Sequence, residues 1–439
     1  MNAPEFPSRP VPLGEATRVF ARIGLLSFGG PAGQIALMHR VLVEEKGWLD
    51  EARFLHALNY CMLLPGPEAM QLATYSGWLL HGIRGGLIAG LLFVLPGAFV
   101  ITALSTVYLL LGHVPLVQGL LFGLKAAVLA IVLEALIRVS RRSLRNGLAV
   151  AIAIAGFVAI AFLRLPFPLI ILGAMLCGAM MPLRAGGKDS RAATEMPEWT
   201  RPSGGRFLRT SLSWLAIWLL PLAALHLATG ANQVFAAEAL LFSKMAAVTF
   251  GGAYAVLAYV AQQAVEVHRW LLPDEMLTGL GLAETTPGPL ILVLVFVGFL
   301  GGARLSGFEP LIGGLLGAAV TLWFTFVPCF LWIFAGAPYV ETIRNVRWLA
   351  NALAAVTAAV VGIIANLALW FSLHVLFGTL RDIAVGPFTF AVPEFAAFDT
   401  VSAFIAIAAG IALIAFRANM IAVLTACALT GMIWKLVAA

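Results

Sequence analysis

The sequence predicts an all-α polytopic membrane protein, and three observations support this prediction. Of the 439 residues, 61% are hydrophobic and only 11% are charged, with a mean hydropathy of +0.98. Soluble domains carry roughly 25% charged residues, and a soluble fold of this length has too little interior to bury so much apolar surface. The apolar residues form runs of about 17–25 residues, the length that a bilayer requires. The basic residues cluster in loops beside these runs, a pattern that indicates membrane orientation rather than a nucleic-acid partner.

Thirteen apolar runs can be read along the chain, and uncertainty about the short ones leaves a total of ten to thirteen transmembrane segments. They lie at about 18–43, 54–80, 85–112, 116–137, 147–163, 167–183, 208–228, 235–265, 275–302, 311–337, 346–377, 399–416 and 419–437. A stretch rich in Gly, Pro and charge follows the sixth run and has the composition of a linker. The predicted organisation is a cytoplasmic tail (1–14), a first repeat (15–183), a cytoplasmic linker (184–207), an extra transmembrane segment (208–234) and a second repeat (235–439).

The distribution of Lys and Arg predicts the orientation of these segments. With the N-terminus inside, eighteen basic residues fall on the cytoplasmic side and seven on the opposite side. Cytoplasmic loops of membrane proteins carry such an excess of positive charge. The opening residues lack the basic start, apolar run and small-residue site of a cleaved signal peptide. We therefore expect a cytoplasmic N-terminus and, with thirteen segments, an external C-terminus.

Three features recur at a single offset in residue number and predict an internal duplication. Phe-Gly-Gly at 28–30 returns at 250–252, Trp48 returns as Trp270, and Pro-Gly-Pro at 65–67 returns at 287–289. The offset is 222 in all three cases. The thirteen segments would form two repeats of six, with an unpaired seventh segment between them. Because one extra segment is an odd number of crossings, the second repeat would be inverted relative to the first. Inverted repeats with Gly/Pro-broken helices are typical of secondary transporters.

The paired Phe-Gly-Gly and Pro-Gly-Pro stretches predict helices that stop and restart inside the membrane. A restarted helix directs unpaired N–H groups and a partial positive charge into a protein-lined cavity, which suits an anion. The alternative is that these are kinks and close-packing glycines, which are common in transmembrane helices. The candidate substrate-binding residues are Ser27, Gly29, Gly30, Pro31, Gln34, Pro65, Gly66, Pro67, Lys244, Thr249, Gly251, Gly252, Thr286, Pro287, Gly288 and Pro289.

Four ionisable residues in or beside the apolar runs are further candidates, because such groups are expensive in lipid and usually functional. Lys244 and Lys125 could each provide the fixed positive charge of an anion site; alternatively they snorkel to an interface or pair with a carboxylate. Glu68 follows the first Pro-Gly-Pro, and Glu284 precedes the second. Each acid could carry a coupling proton or tune the charge of the site, and Glu68 could instead stabilise a helix N-terminus.

The sequence contains no nucleotide-binding loop, metalloprotease motif or nucleophile triad, so we expect neither a cofactor nor enzymatic activity. The four cysteines lie scattered in apolar stretches without ligand spacing, so we expect no metal site. A membrane-embedded enzyme is the rival class. It would need His, Cys or acidic residues that converge at one depth, and no segment offers such a set.

The stretches SFGGPAGQIALMH (27–39), NYCMLLPGPEAMQLATYSGW (59–78) and GLGLAETTPGPL (279–290) resemble the chromate ion transporter family in its long two-domain bacterial form. The resemblance covers nearly the whole chain. It implies a multi-pass protein of the bacterial inner membrane that exports chromate, uses the membrane potential or a proton gradient, and confers chromate resistance. Sulfate is the alternative substrate, since it is a tetrahedral dianion of similar size. The expected partners are therefore such an oxyanion and the lipid bilayer, and a homodimer is left open.

Overall fold

The computed structural model describes residues 11–180, 202–229, 233–250, 253–339, 347–385 and 388–438. Nearly all of these residues are helical. The first half contains α1 (Leu13–Leu26), α2 (Gly30–His39), α3 (Glu51–Cys61), α4 (Glu68–Leu111), α5 (Pro115–Ser143), α6 (Gly147–Ala161) and α7 (Phe167–Met180). A π-helical turn, Arg40–Glu45, continues α2.

The second half begins after the long helix α8 (Gly204–Thr229). It contains α9 (Val234–Val248), α10 (Ala253–Ala261) with a π-helical turn (Gln262–Val267), α11 (Pro273–Glu284), a 3₁₀ turn (Leu290–Leu292), α12 (Val293–Leu305), α13 (Pro310–Gly336) with a 3₁₀ turn (Ala337–Tyr339), and α14 (Arg347–Leu376). A two-stranded antiparallel hairpin follows, β1 (Leu380–Val385) and β2 (Phe388–Pro393). The chain continues through a 3₁₀ turn (Phe395–Ala397), α15 (Thr400–Gly410) with a π-helical turn (Ile411–Ala415), and α16 (Met420–Ala438).

Element boundaries repeat at the offset found in the sequence. The π-helical turns Arg40–Glu45 and Gln262–Val267 begin and end at positions related by the offset of 222. The end of α1 and the end of α9 are related by the same offset, as are the starts of α3 and α11. The two stretches share an unusual π-helical turn as well as their motifs. This is the local structure that we expect of a duplicated unit.

The helices break where the motifs predict. Residues 27–29 separate α1 from α2, and Gly29 and Gly30 have φ of +88° and +68°. Residues 62–67 separate α3 from α4, with Gly66 at φ +112°, and its counterpart Gly288 has φ +91°. Side-chain-bearing residues rarely adopt this left-handed backbone, which explains the glycines. The predicted site residues Gly251 and Gly252 lie outside the described residues.

Helix α4 consists of two antiparallel arms. His81 and Gly82 have non-helical backbone angles, at the boundary predicted between the runs 54–80 and 85–112. A Cβ at Gly77 would lie 2.4 Å from the carbonyl oxygen of Gly85, so the arms touch through their backbones. Small residues allow this close approach of helices in membranes.

By spatial contacts the described chain forms two compact units, neither of which coincides with a predicted repeat. Unit 1 is drawn from 1–103, 185–253 and 286–347, and unit 2 from 104–184, 254–285 and 348–439. In unit 1, α13 packs on α8, α9 and α12. In unit 2, α5 packs on α11, α15 and α16. Unit 2 also contains a cavity of about 510 Å³, which is lined by the end of α6, the π-helical turn Gln262–Val267, α14 and the β hairpin.

Several of the described helices have the length and composition of membrane spans. Six helices in the described residues are long and apolar enough to span: Glu68–Leu111, Pro115–Ser143, Gly204–Thr229, Pro310–Tyr339, Trp348–Leu376 and Met420–Val437. Four more are apolar but shorter: Gly147–Ala161, Phe167–Met180, Leu290–Leu305 and Thr400–Ala415. The chain thus has the helices of a multi-pass membrane protein, and the predicted count of thirteen is not confirmed.

The first predicted segment, 18–43, turns back instead of crossing. Glu15 precedes this segment and Lys46 follows it, yet Lys46 Nζ lies 2.8 Å from Glu15 Oε1. A second ion pair, Arg22 to Glu45 at 3.6 Å, joins the same two arms. Since the hydrocarbon core is about 30 Å thick, residues on opposite sides of a membrane cannot form these pairs. The two ends of the run 18–43 therefore lie on one side of a membrane.

Candidate functional site

The breaks of unit 1 are joined by two equivalent hydrogen bonds. The Gly288 N–H donates to the Ser27 carbonyl at 2.8 Å, and the Gly66 N–H donates to the Thr249 carbonyl at 3.0 Å. Ser27 and Thr249 are equivalent positions at the offset of 222, and so are Gly66 and Gly288. Each Phe-Gly-Gly break is thus bonded to the Pro-Gly-Pro break of the other half, in two crossed pairs related by the repeat.

The Ser27 and Thr249 side chains stabilise the helix ends that precede the breaks. Both residues are buried. Ser27 Oγ donates to the Ile23 carbonyl, and Thr249 Oγ1 donates to the Met245 carbonyl, each at 2.6 Å. Because these hydroxyl protons already bond a carbonyl one helical turn earlier, an anion at the breaks would have to be bound chiefly by backbone N–H groups.

Helix N-termini at the breaks provide such groups. Helix α2 starts at Gly30 with Pro31 in its first turn, and no side chain caps it. Helix α4 starts directly after Pro67, and the 3₁₀ turn before α12 starts directly after Pro289. Pro67 and Pro289 therefore lie just before the restarted helices. First-turn N–H groups have no partner within their helix and carry the positive end of the dipole.

Gln34 links two breaks through its side chain. It is 1% exposed, and its Nε2 donates to the Gly288 carbonyl at 2.6 Å and, more weakly, to the Ser27 carbonyl at 3.4 Å. These are carbonyls that the broken helices leave without helical partners. Gln34 therefore has a structural role in addition to its predicted place in the substrate site. Its side chain joins one break to the other.

Two further residues pack against the Pro-Gly-Pro stretches. A Cβ at Gly66 would lie 3.0 Å from Cys329 Sγ of α13. A Cβ at Gly97 of α4 would lie 2.0 Å from the Pro287 carbonyl oxygen. Pro65 and Pro287 are buried beside them, as is Thr286, which is 4% exposed. The backbone at both Pro-Gly-Pro breaks is thus enclosed by protein, an environment in which irregular backbone is tolerated at membrane depth.

Of the two predicted lysines, one is exposed and the other is paired. Lys244 is exposed on α9, whereas its neighbours Ser243 and Met245 are buried. In unit 2, Lys125 forms an ion pair with Asp274. This is the structural alternative that the sequence left open for Lys125.

The two predicted acids have different surroundings. Glu68 is the first residue of α4, in unit 1, where a carboxylate stabilises the positive end of the helix dipole. Glu284 is 3% exposed in unit 2, and its Oε1 accepts a hydrogen bond of 2.9 Å from the Tyr254 hydroxyl.

Sequence reasoning missed two buried polar residues of unit 1. Gln71 is 0% exposed, and its Nε2 donates to the Pro65 carbonyl at 2.7 Å. Glu238 on α9 is also 0% exposed, and neither carboxyl oxygen has a hydrogen-bond partner among the described residues. The signals were present, because Gln71 lies one helical turn after Pro67 and Glu238 is an acid near the start of the apolar run 235–265.

The helices and paired breaks define a multi-pass, all-α membrane protein with discontinuous helices. The chain belongs to the chromate transporter family: the family's model, described as "Chromate transporter", matches residues 14–179 and 237–432. The two matched ranges correspond to the two halves that share the motifs.

Three curated relatives carry the same description. The chain is 28% identical to the "Chromate transport protein" of Cupriavidus metallidurans, over 79% of each chain. It is 29% identical to the "Probable chromate transport protein" of Synechococcus elongatus, over 81% of this chain and 83% of the relative. It is 31% identical to the "Chromate transport protein" of Pseudomonas aeruginosa, over 79% of this chain and 77% of the relative. No solved structure matches the chain.

Proposed function

We propose that the protein is a secondary transporter that exports chromate from the cytoplasm of a bacterium and thereby confers chromate resistance. The observation that carries this proposal is the crossed pairing of the breaks, Ser27 with Gly288 and Thr249 with Gly66. Broken helices from two repeats that meet inside the membrane are how secondary transporters build a substrate site. Family membership supports chromate as the substrate.

We further propose that all four broken pairs are re-entrant hairpins. The pair α1 and α2 has both flanks joined by the Lys46–Glu15 ion pair. In unit 2, Glu275 accepts a 2.9 Å bond from Tyr108 near the end of α4, so the loop before α11 lies on the side of the α4–α5 loop. Helices α5 to α8, if each crosses once, return the chain to that side before α9. The pair α9 and α10 then starts and ends on one side.

The same reasoning extends to α11 and α12. The cavity of unit 2 is lined by Pro273 at the start of α11 and by Ala391 of the β hairpin, so these two loops share a side. One crossing by α13 and one by α14 separate α12 from that hairpin. The pair α11 and α12 therefore begins and ends on the same side, and the repeat predicts the same of α3 and the first arm of α4. Nine crossings remain, with the N-terminus inside and the C-terminus outside.

The charge distribution supports this topology independently. Re-entrant pairs move Arg40, Lys46 and Arg53 to the cytoplasmic side and Arg269 to the opposite side. The count of basic residues then changes from eighteen against seven to twenty against five. Apart from Lys46 in the ion pair of the first hairpin, no basic residue was used to identify the hairpins. The stronger positive-inside bias is therefore a separate argument for them.

The direction of transport follows from electrostatics. Each charge that crosses the membrane is worth about 2.3 kcal/mol per 100 mV, and the cytoplasm is negative. A dianion that leaves gains roughly 4.6 kcal/mol at about 100 mV, enough for a gradient on the order of a thousandfold. Uptake would face the same energy as a barrier. A carrier without ATP machinery is therefore better suited to export, and a proton gradient acting through Glu68 or Glu284 would add to it.

The experiment uses inverted membrane vesicles, whose lumen corresponds to the outside of the cell. A potassium diffusion potential, positive inside, should drive accumulation of radiolabelled chromate into vesicles that contain the protein and not into vesicles that lack it. Glu68→Gln should retain potential-driven transport. A strict requirement for a pH gradient, together with complete loss in Glu68→Gln, would instead identify Glu68 as an obligatory proton site and refute a potential-only mechanism.

A further inference from the structure

Glu238 is a completely buried acid of unit 1 that the paired breaks do not use. It lies on α9 and is 0% exposed. Among the described residues, neither of its carboxyl oxygens has a hydrogen-bond partner. The residues three and four positions away share its face of the helix, and all of them are buried and apolar: Val234, Phe235, Leu241 and Phe242. The carboxyl group therefore lies on an apolar face of α9, away from water.

The neighbouring helices do not supply a partner for this acid. Helices α8, α12 and α13 pack against α9. The titratable side chains on these four helices, and on the residue that caps α13, are Arg206, Arg209, His226, Lys244, Arg304, Glu309 and Cys329. In the part of the chain that the structure describes, none of them donates a hydrogen bond to Glu238. A buried carboxylate without a partner loses its hydration and gains nothing in return. Glu238 is therefore neutral in this conformation, which means that it holds a proton.

The internal duplication shows that the helix does not need this acid in order to form. At the offset of 222, Glu238 corresponds to Ala16 of α1, which is 3% exposed. Helices α1 and α9 end at equivalent residues, just before the Phe-Gly-Gly breaks. The same local structure thus forms with a methyl group at this position. A carboxyl group whose polar atoms stay unsatisfied is a worse occupant of a buried position than a methyl group, so packing does not explain Glu238.

Helix α9 connects this acid to one of the breaks. Thr249 directly follows α9, and its carbonyl accepts the Gly66 N–H at 3.0 Å. Glu238 precedes Thr249 by eleven residues, which is roughly 16 Å along a helix. An ionised Glu238 requires water or a donor that the present packing does not provide, so α9 must shift when the proton leaves. Because a helix moves as a unit, the shift would reach the Thr249–Gly66 hydrogen bond and alter the break.

We propose that Glu238 is the proton-coupling site, which binds a proton from the external side and releases it to the cytoplasm as chromate moves outward. The proposal rests on the proposed function and assigns the coupling proton to Glu238 instead of Glu68 or Glu284. Glu68 lies at a helix start and Glu284 bonds the Tyr254 hydroxyl, so both carboxyl groups have a structural role that Glu238 lacks. In each cycle one carboxylate oxygen takes a proton from water and later returns it to water, and no other bond changes. The membrane potential drives both the inward proton and the outward anion.

Infrared spectroscopy of the protein in lipid vesicles tests the proton directly and requires no transport. The spectrum of the wild type minus that of Glu238→Gln should contain the C=O stretch of a protonated carboxyl group at pH 7. The band should lie at the high-frequency end of its range, because the group has no hydrogen bonds. Glu45→Gln, at an exposed acid, is the matched control and should remove no such band. Absence of the band from the Glu238→Gln difference would show that Glu238 is ionised and would overturn the proposal.

Chromate accumulation in inverted vesicles tests the coupling. The potential is clamped at zero, and the lumen is one pH unit more acidic than the bath, at pH values where chromate is almost wholly the dianion. One coupled proton per chromate then predicts about tenfold accumulation in the lumen at steady state. Glu238→Gln should lose this accumulation and keep uptake driven by the potential alone, whereas Glu45→Gln should behave as the wild type. The ratio of accumulation with and without the pH gradient should persist in Glu68→Gln and Glu284→Gln, whatever their absolute rates.

A second variant, Glu238→Ala, covers the case in which Glu238→Gln fails to insert, since alanine occupies the equivalent buried position of the first repeat. It should show the same loss. If the pH gradient does not act on the wild type, still acts on a Glu238 variant, or ceases to act in Glu68→Gln or Glu284→Gln, the inference is wrong while chromate transport stands. If wild-type vesicles take up no chromate under either driving force, the proposed function itself fails, and the infrared band still decides whether Glu238 holds a proton.

Discussion

Substitution of Gly97 by alanine should test whether the geometry of the breaks controls transport. Gly97 lies in α4, and an added Cβ would meet the Pro287 carbonyl oxygen at 2.0 Å, the Pro287 carbonyl carbon at 3.0 Å and Leu292 Cδ1 at 2.5 Å. The nearest atom is backbone and cannot rotate away. The second Pro-Gly-Pro break and α4 must therefore separate by about 1 Å, a displacement that can cost about 100-fold in a positioned site.

The expected result is a fall of roughly 100-fold in the initial rate of chromate uptake into inverted vesicles. The free energy of unfolding should also fall by about 1–3 kcal/mol, because the added methyl group overpacks the contact. The rate is normalised to the amount of protein in the membrane, and the purified variant is checked for a single, folded species. Gly173→Ala is the matched control, because Gly173 is a helical glycine with nothing within 4 Å of an added Cβ. A Gly97→Ala rate within about twofold of the wild type would show that the break tolerates displacement and would refute the reasoning.

Three other predictions concern topology, backbone and charge. A cysteine at Gly47 should react with an impermeant thiol reagent only from the cytoplasmic side and a cysteine at Arg269 only from outside, whereas thirteen crossings require the reverse. Gly29→Leu should abolish transport, because Gly29 has φ +88°, whereas Gly14→Leu, at a position with open space and no positive φ, should not. Equal activity of the two variants would show that transport does not depend on the left-handed backbone at Gly29. Lys125→Met should retain transport, since Lys125 pairs with Asp274, and its complete loss would restore Lys125 as a substrate charge.

The sequence alone determined the class of the protein and the places where its helices break. Composition dictates a membrane protein because 61% apolar residues cannot be buried in a soluble fold of this size. The offset of 222 located the equivalent breaks, and the structure places helix ends at those residues. Glycine and proline act on the backbone locally, so their consequences can be read without knowledge of the partners.

Only the tertiary structure decided how the broken segments run and which polar atoms meet. An apolar run of membrane-spanning length reads the same whether it crosses or turns back, and the Lys46–Glu15 ion pair is what distinguishes the two for 18–43. Lys244 and Lys125 looked alike in sequence, yet one is exposed and the other paired. The Gln34 side chain bonds Gly288, which lies in the other half of the chain. Burial and pairing depend on residues distant in the chain, so no local pattern could show that a glutamine in the first half would donate to a break in the second.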